Sequence, residues 1–143
     1  MAKTKPKGFS PARKFAWNTE TQTEGLWREI DDGAAKLKIA RFNNPEHQAY
    51  LRRLREENAK LLENPDSEES QTKLNEIASK AMAAHILKDW EGIQDEEGND
   101  LPYSKEAAYQ LLSDYEEFSN LVFSLSTDVE QYRKYKEADA VKN

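Results

Sequence analysis

The feature that most constrains the fold is a change of hydrophobic period at Asn44-Pro45. Before this point, residues 26–40 form two short runs of alternating side chains, separated by Asp31-Asp32-Gly33. An Asp-Gly pair supplies the positive φ angles that a tight hairpin turn requires. After this point, apolar residues recur at helical spacing. The pattern therefore predicts a β-hairpin followed by helices.

Helix-end signals divide the rest of the chain into three or four helices. Asn44 can cap the first helix and Pro45 suits its first position. Pro65 interrupts the chain because it lacks an amide donor. The predicted helices run from Pro45 to about Leu62, from about Ser70 to Trp90, from a Ser104 cap through Leu112, and from an Asp114 cap through Tyr132.

These patterns predict an α+β fold that is predominantly helical, with the N-terminal β-hairpin packed on three or four helices. The length of 143 residues suits one domain. We expect a flexible basic arm over residues 1–20, a single mainly helical domain over 21–135 and a frayed C-terminal tail over 136–143.

The net charge of −6 conceals an asymmetry between the N-terminus and the rest of the chain. Five basic residues precede the first acidic residue, Glu20, so the remainder carries a formal charge of about −11. The basic block could contact phosphate or an acidic partner, or it could be a solvated chain end. No apolar run approaches the length that spans a bilayer, so no membrane association is predicted.

The sequence contains no recognisable set of reactive groups. Cysteine is absent, the five glycines are isolated, and His47 and His85 fall on different predicted helices. Zinc sites usually assemble three or four ligands, so both histidines are predicted to be structural or surface residues. We therefore predict no catalytic residue, no cofactor-binding residue and no metal site, and we expect that the protein is not an enzyme.

The acidic stretch from Asp95 to Asp100 resembles a calcium loop only superficially. A calcium loop needs glycine at its sixth position, but counting from Asp95 places Gly98 at the fourth. A structural turn explains these residues better, since Gly98 and Asn99 tolerate positive φ. A weak cation site remains the alternative.

Aromatic residues are the remaining candidates for function. Most are predicted to be core, but Phe123 projects away from the apolar stripe of the fourth helix, so one face of that helix could be a partner groove. The narrow stripe containing Leu51 and Leu54 also permits self-association. The predicted partner-binding residues are Trp90, Tyr103, Phe118, Leu121 and Phe123.

Two segments resemble tail assembly chaperones of long-tailed bacteriophages. The first, HILKDWEGIQDEEGNDLPYSKEAAYQLL, has a tryptophan-glycine step, an acidic glycine turn, a proline-aromatic pair and a helix ending in leucines. The second, LWREIDDGAAKLKIARFNNPEHQAYLRRL, leads from a short hairpin into an Asn-Pro-capped helix. Together they cover roughly residues 26–112. The residues carrying the first resemblance are Trp90, Gly92, Gly98, Pro102, Tyr103, Leu111 and Leu112.

The resemblance implies a small non-enzymatic protein in the cytoplasm of the infected bacterium. Such chaperones coat the tape-measure protein, keep it soluble and help recruit tail-tube subunits, often with a longer frameshifted product. One alternative is a structural tail or connector protein retained in the virion. Another is a nucleic-acid-binding regulator using residues 3–14, although the acidity of the remaining chain argues against it.

Overall fold

The computed structural model describes residues 8–136, in which six helices accompany one small antiparallel sheet. This arrangement confirms the predicted α+β, predominantly helical fold. The strands are β1 (Leu26–Ile30), β2 (Ala35–Ile39) and β3 (Leu87–Glu91). The helices are α1 (Pro11–Phe15), α2 (Thr21–Glu24), α3 (Pro45–Glu57), α4 (Glu68–His85), α5 (Lys105–Asp114) and α6 (Glu116–Ser126).

The predicted N-terminal hairpin is present as β1 and β2. The two strands pair antiparallel from Leu26 opposite Ile39 to Ile30 opposite Ala35. The turn places Asp32 at φ 54° and Gly33 at φ 87°, as the Asp-Gly pair predicts. Aspartate tolerates this left-handed conformation because its short polar side chain can hydrogen-bond locally.

The third strand was not predicted. Residues 87–90 were expected to finish the second helix, but residues 87–91 pair with β2, which makes β2 the central strand. A register irregularity beside Lys38 lets Leu87 and Trp90, three residues apart, lie opposite the buried residues Ile39 and Leu37. Apolar residues at a spacing of three are also typical of a helix. The apolar spacing in the sequence of this irregular strand is therefore the same as that of a helix.

Side-chain caps explain where α3 and α4 begin and end. The Asn44 side-chain oxygen accepts hydrogen bonds from the N–H groups of Glu46 and His47, as the cap prediction requires. α3 ends at Glu57, earlier than the predicted Leu62, and the Asn58 side chain donates to the Leu54 carbonyl. Ser67 caps α4 by accepting from Ser70 N–H.

The last two helices follow one cap prediction and contradict another. Ser104 caps α5 by accepting from Ala107 N–H, as expected. Asp114 does not cap α6; it closes α5 and accepts a hydrogen bond from Gln110. α6 ends at Ser126, and a separate 3-10 turn, Val129–Tyr132, follows. The expected single helix through Tyr132 is thus two elements.

The core lies between the inner face of the sheet and the helices α4, α5 and α6. α4 packs on α3, α5 and β3, so it is the central helix, as its small residues predicted. The small residues Ala81 and Ala108 are fully buried on α4 and α5. The buried core residues are Leu37, Ile39, Met82, Ala83, Ile86, Leu87, Trp90, Ala108, Leu112 and Val122.

The outer face of the sheet carries opposite charges on neighbouring strands. Lys36 of β2 stands opposite Glu29 of β1 and Glu91 of β3, and all three are exposed. Opposite charges at facing positions stabilise a sheet modestly and keep this face solvated.

Part of the predicted basic arm is packed against the end of the described chain. The backbone N–H of Asn18 donates to the Tyr132 carbonyl at 2.7 Å, and the N–H of Lys134 donates to the Ala16 carbonyl at 2.9 Å. Residues 1–7 of the arm and 137–143 of the tail lie outside the described residues. Within residues 8–136, no helix has the length and apolar character needed to span a bilayer.

Candidate functional site

Two of the five predicted partner-binding residues pack on each other: Trp90 is buried in the core, and Tyr103 is half-buried against it. Trp90 is 5% exposed, its indole N–H donates to the Leu101 carbonyl at 2.7 Å, and its ring meets the Tyr103 ring edge-to-face at 5.0 Å. The Tyr103 hydroxyl donates to the Leu87 carbonyl at 2.7 Å, and burial raises the pKa of Tyr103 to about 12. Trp90 is thus a core residue rather than a surface contact, and the Tyr103 ring packs against it.

The other three predicted residues lie on α6 with different exposures. Phe118 is half-buried against the core, and Leu121 is also half-buried. Phe123 is 46% exposed, although the core residue Val122 precedes it. Its ring meets the Phe42 ring edge-to-face, with 5.0 Å between the centroids. Phe123 therefore presents an apolar surface that the described chain only partly covers.

An open groove on α3 begins at Asn43, the residue after Phe42. The groove has a volume of about 640 Å³. Its floor includes the apolar side chains of Leu51 and Ala59, and its cations are Arg52 and Arg55. Together with the Phe42 and Phe123 rings we call it the Phe123 surface. The groove is lined by Asn43, Gln48, Leu51, Arg52, Arg55, Glu56 and Ala59.

His47 fixes the backbone where the groove begins. The Asn43 N–H donates to His47 Nδ1 at 3.1 Å, and Asn43 has a left-handed φ of 65°. Burial, and to a smaller extent the nearby charges of His85 and Arg41, lower the pKa of His47 to about 4. His47 is therefore a neutral hydrogen-bond acceptor at pH 7, and its contacts support a structural role.

His85 lies at the end of α4 and faces α3. Its ring meets Tyr50 edge-to-face at 5.1 Å, and its Nδ1 lies 3.6 Å from a Glu46 carboxylate oxygen. Burial is the main cause of its lowered pKa. Among residues 8–136 the structure contains no group of three acidic, histidine or cysteine side chains that could hold a metal ion.

The acidic stretch forms a small hairpin. Gln94 and Asp100 form an isolated bridge, and the Asp95 carboxylate accepts hydrogen bonds from the N–H groups of Glu97 and Asn99. The Asn99 N–H is the main reason why the pKa of Asp95 lies below its ordinary value. Gly98 has φ 84°, as the turn interpretation predicts. The geometry is that of a structural turn.

The α3 groove was not predicted, although all of its lining residues fall within residues 43–59. Leu51 was predicted on the same stripe as Leu54, with the neighbouring arginines off that stripe. The contact between the Phe42 and Phe123 rings joins residues far apart in sequence, so helical spacing alone does not predict it. The spacing of Gln48, Leu51 and Arg55 along one helical face was the available signal.

Comparison with known families places the chain among prophage proteins. The family model described as "YdaY prophage protein" matches residues 42–143. The chain belongs to the YdaY prophage protein family. The predicted phage origin is therefore confirmed. Neither a curated protein nor a solved structure matches the chain.

The YdaY match includes the whole Phe123 surface. It begins at Phe42 and extends through α3 and α6. The hairpin and residues 8–24 precede it. The residues that line the groove on this YdaY family protein are therefore part of the family region.

Proposed function

We propose that this YdaY family protein is a phage tail assembly chaperone that acts by protein binding and without enzymatic activity. Its proposed client is the tape-measure protein, and its second partner is the tail-tube protein. Membership of a prophage family and the two segments that resemble tail assembly chaperones support this function. The proposed site of action is the cytoplasm of the host bacterium.

The observation that carries the proposal is the Phe123 surface. Phe123 offers an exposed apolar ring, and Leu51 lines the α3 groove together with Arg52 and Arg55. An amphipathic helix binds such a groove through apolar side chains at helical spacing, and acidic residues beside them would pair with the arginines. A long helical client that repeats this pattern is a suitable occupant.

The charge of the chain and the repetition of contacts along the client are compatible with reversible binding. The chain has a net charge of −6 and an outer sheet face with charged side chains, which favours solubility of a coated complex. Many modest contacts along one client supply avidity that a single contact lacks. Release then requires no covalent step.

The test is a co-expression pull-down with the neighbouring phage reading frames, followed by mass spectrometry. We expect the tagged chain to recover a long helical tape-measure protein from the cell extract. Phe123→Ala should reduce recovery at least about five-fold, since a buried aromatic anchor commonly contributes more than 1 kcal/mol. Tyr115→Ala is the matched control, because Tyr115 is similarly exposed, at 51%, and lies outside the Phe123 surface.

Mass spectrometry of purified particles separates the chaperone from its alternative. Absence of the chain from particles, together with recovery of the client from extracts, supports the chaperone. Stoichiometric presence in particles would instead identify a structural tail or connector protein. Equal recovery by the Phe123→Ala and Tyr115→Ala variants would exclude the Phe123 surface as the contact.

A further inference from the structure

A second surface combines aromatic rings with basic side chains near the two ends of the described chain. We call it the terminal cluster. The Arg13 guanidinium lies 4.6 Å from the Tyr135 ring centroid, and Lys134 Nζ lies 5.4 Å from the same centroid. The Phe9 and Phe15 rings meet edge-to-face at 5.7 Å. The members are Phe9, Arg13, Phe15, Trp17, Arg41, Arg133, Lys134 and Tyr135.

The cluster has a defined scaffold. Trp17 and Arg133 form an antiparallel bridge, and the Arg133 guanidinium donates to the Phe15 carbonyl at 3.1 Å. The guanidinium carbons of Arg41 and Arg133 lie 3.9 and 4.1 Å from the Trp17 ring centroid. These cation–π contacts hold the beginning and end of the described chain together.

Three rings of the cluster are exposed to an unusual degree for large apolar side chains. Phe9 is 67% exposed, Phe15 is 49% exposed and Tyr135 is 42% exposed. Aromatic residues and arginine are enriched in protein interfaces, and exposed apolar patches rimmed by polar residues commonly mark interaction sites. The exposed rings therefore favour an apolar contact from another molecule.

The positive charge of the terminal cluster indicates which kind of partner it can bind. Its members carry four basic side chains, and the carboxylate that meets them is Glu130, which lies 3.5 Å from Arg133 Nε. Arg13 and Lys134 are exposed and make no ion pair within residues 8–136. The complement is thus an acidic surface that also carries apolar side chains. Four basic side chains are too few for the extended basic footprint that nucleic acid needs, so a short acidic protein segment fits better.

We infer that the terminal cluster is a docking surface for an acidic amphipathic helix of a partner protein. The apolar side chains of that helix cover the rings of Phe9, Phe15 and Tyr135. Its carboxylates pair with Arg13 and Lys134. This inference rests on the proposed protein-binding function and adds a second contact surface to it.

The probe is a fluorescein-labelled helical peptide of about 18 residues, long enough for about five turns, built from leucine, phenylalanine and glutamate. Binding is measured by fluorescence anisotropy at two salt concentrations. We expect salt-sensitive binding to the full chain and no binding of a peptide with lysine in place of glutamate. Phe9→Ala and Arg13→Glu should each weaken binding at least about five-fold.

Trp27→Ala is the matched control variant, since Trp27 is 43% exposed on the outer face of the sheet and is not a member of the terminal cluster. It should leave the peptide affinity unchanged. Circular dichroism of each variant checks that the fold is retained. Equal weakening by Trp27→Ala and Phe9→Ala would overturn the inference.

Two other occupants are outcomes of the same experiment. Binding of a fluorescent oligothymidylate, weakened by Phe9→Ala while the acidic peptide does not bind, would overturn the inference in favour of nucleic acid. Dimerisation in analytical ultracentrifugation that Arg13→Glu abolishes, again without peptide binding, would assign the surface to a second copy of the chain.

The proposed client and the proposed docking surface can be overturned independently of each other. Recovery of the tape-measure protein that depends on Phe123, without peptide binding at the terminal cluster, would overturn only this inference. Peptide binding that depends on Phe9, without recovery of the tape-measure protein, would overturn only the proposed client.

Discussion

The hydroxyl of Tyr132 donates a hydrogen bond to the carbonyl oxygen of Ile39 at 2.8 Å, which joins the last described turn to the central strand. Both residues are fully buried. Burial raises the pKa of Tyr132 to about 12, so the phenol is protonated and remains a donor at neutral pH. A contact between residues 93 positions apart thus closes the domain.

Tyr132→Phe should lower the free energy of unfolding by about 1–2 kcal/mol, because the Ile39 carbonyl would lose its buried donor. Urea denaturation measures the change. Tyr115→Phe is the control, since Tyr115 is 51% exposed, and its stability should stay within about 0.5 kcal/mol of the original chain. Equal effects of the two substitutions would show that the Tyr132 hydroxyl contributes nothing specific.

Stability should fall as the pH is lowered from 7 to 5. The pKa of His47 is about 4 in the folded chain, and the ordinary histidine value is 6.5, so the unfolded chain binds a proton in this range while the folded chain does not. This difference should cost about 2 kcal/mol between pH 7 and pH 5, and the lowered pKa of His85 acts in the same direction.

Urea denaturation of the original chain and of His47→Gln at both pH values tests the assignment. His47→Gln should be less stable at pH 7 but should lose less stability on acidification. A pH dependence unchanged by this substitution would mean that other groups cause it.

Gly92→Ala should destabilise the protein more than Gly98→Ala. Both glycines have positive φ, 81° and 84°. A Cβ at Gly92 would lie 2.6 Å from the Ala34 carbonyl oxygen, but a Cβ at Gly98 would meet no atom within 4 Å. We expect about 1 kcal/mol at Gly98 from backbone strain and more than about 2 kcal/mol at Gly92 from strain and steric overlap. Thermal unfolding of both variants provides the comparison, and a larger loss at Gly98 would contradict the geometry.

Asn44→Ala should cost about 2–4 kcal/mol, because Asn44 is fully buried and its side chain both caps α3 and donates to the Arg41 and His85 carbonyls. Ser67→Ala removes the cap of α4 from a more accessible position, so it should cost only about 1 kcal/mol. Chemical denaturation measures both. Similar losses of stability in the two variants would indicate that the hydrogen bond from Asn44 to the His85 carbonyl of α4 adds no stability beyond the cap.

Several sequence predictions agree with the structure because their physical causes are local. Asn44 and Ser104 cap helices by hydrogen bonds to residues two or three positions away. Gly33 accepts a positive φ because it has no Cβ. The α+β class followed from these signals together with the change of hydrophobic period.

The burial of the aromatic residues could not be predicted from the local sequence. Trp90 and Phe123 were both predicted to contact a partner, but Trp90 is buried by Tyr103 and the sheet, while Phe123 remains 46% exposed beside Phe42. Residue type and helical spacing do not distinguish these environments. The neighbours that bury or expose a ring come from other elements.

By itself the sequence determined the hairpin, the starts of α3 and α5, and the turn at Gly98, since caps and left-handed turns depend on adjacent residues. Only the tertiary structure decided that residues 87–91 form a strand. An irregular strand places Leu87 and Trp90 at a spacing that also suits a helix, and the free β2 edge is what favours the extended form. The Phe123 surface and the terminal cluster likewise exist only because folding brings distant side chains together.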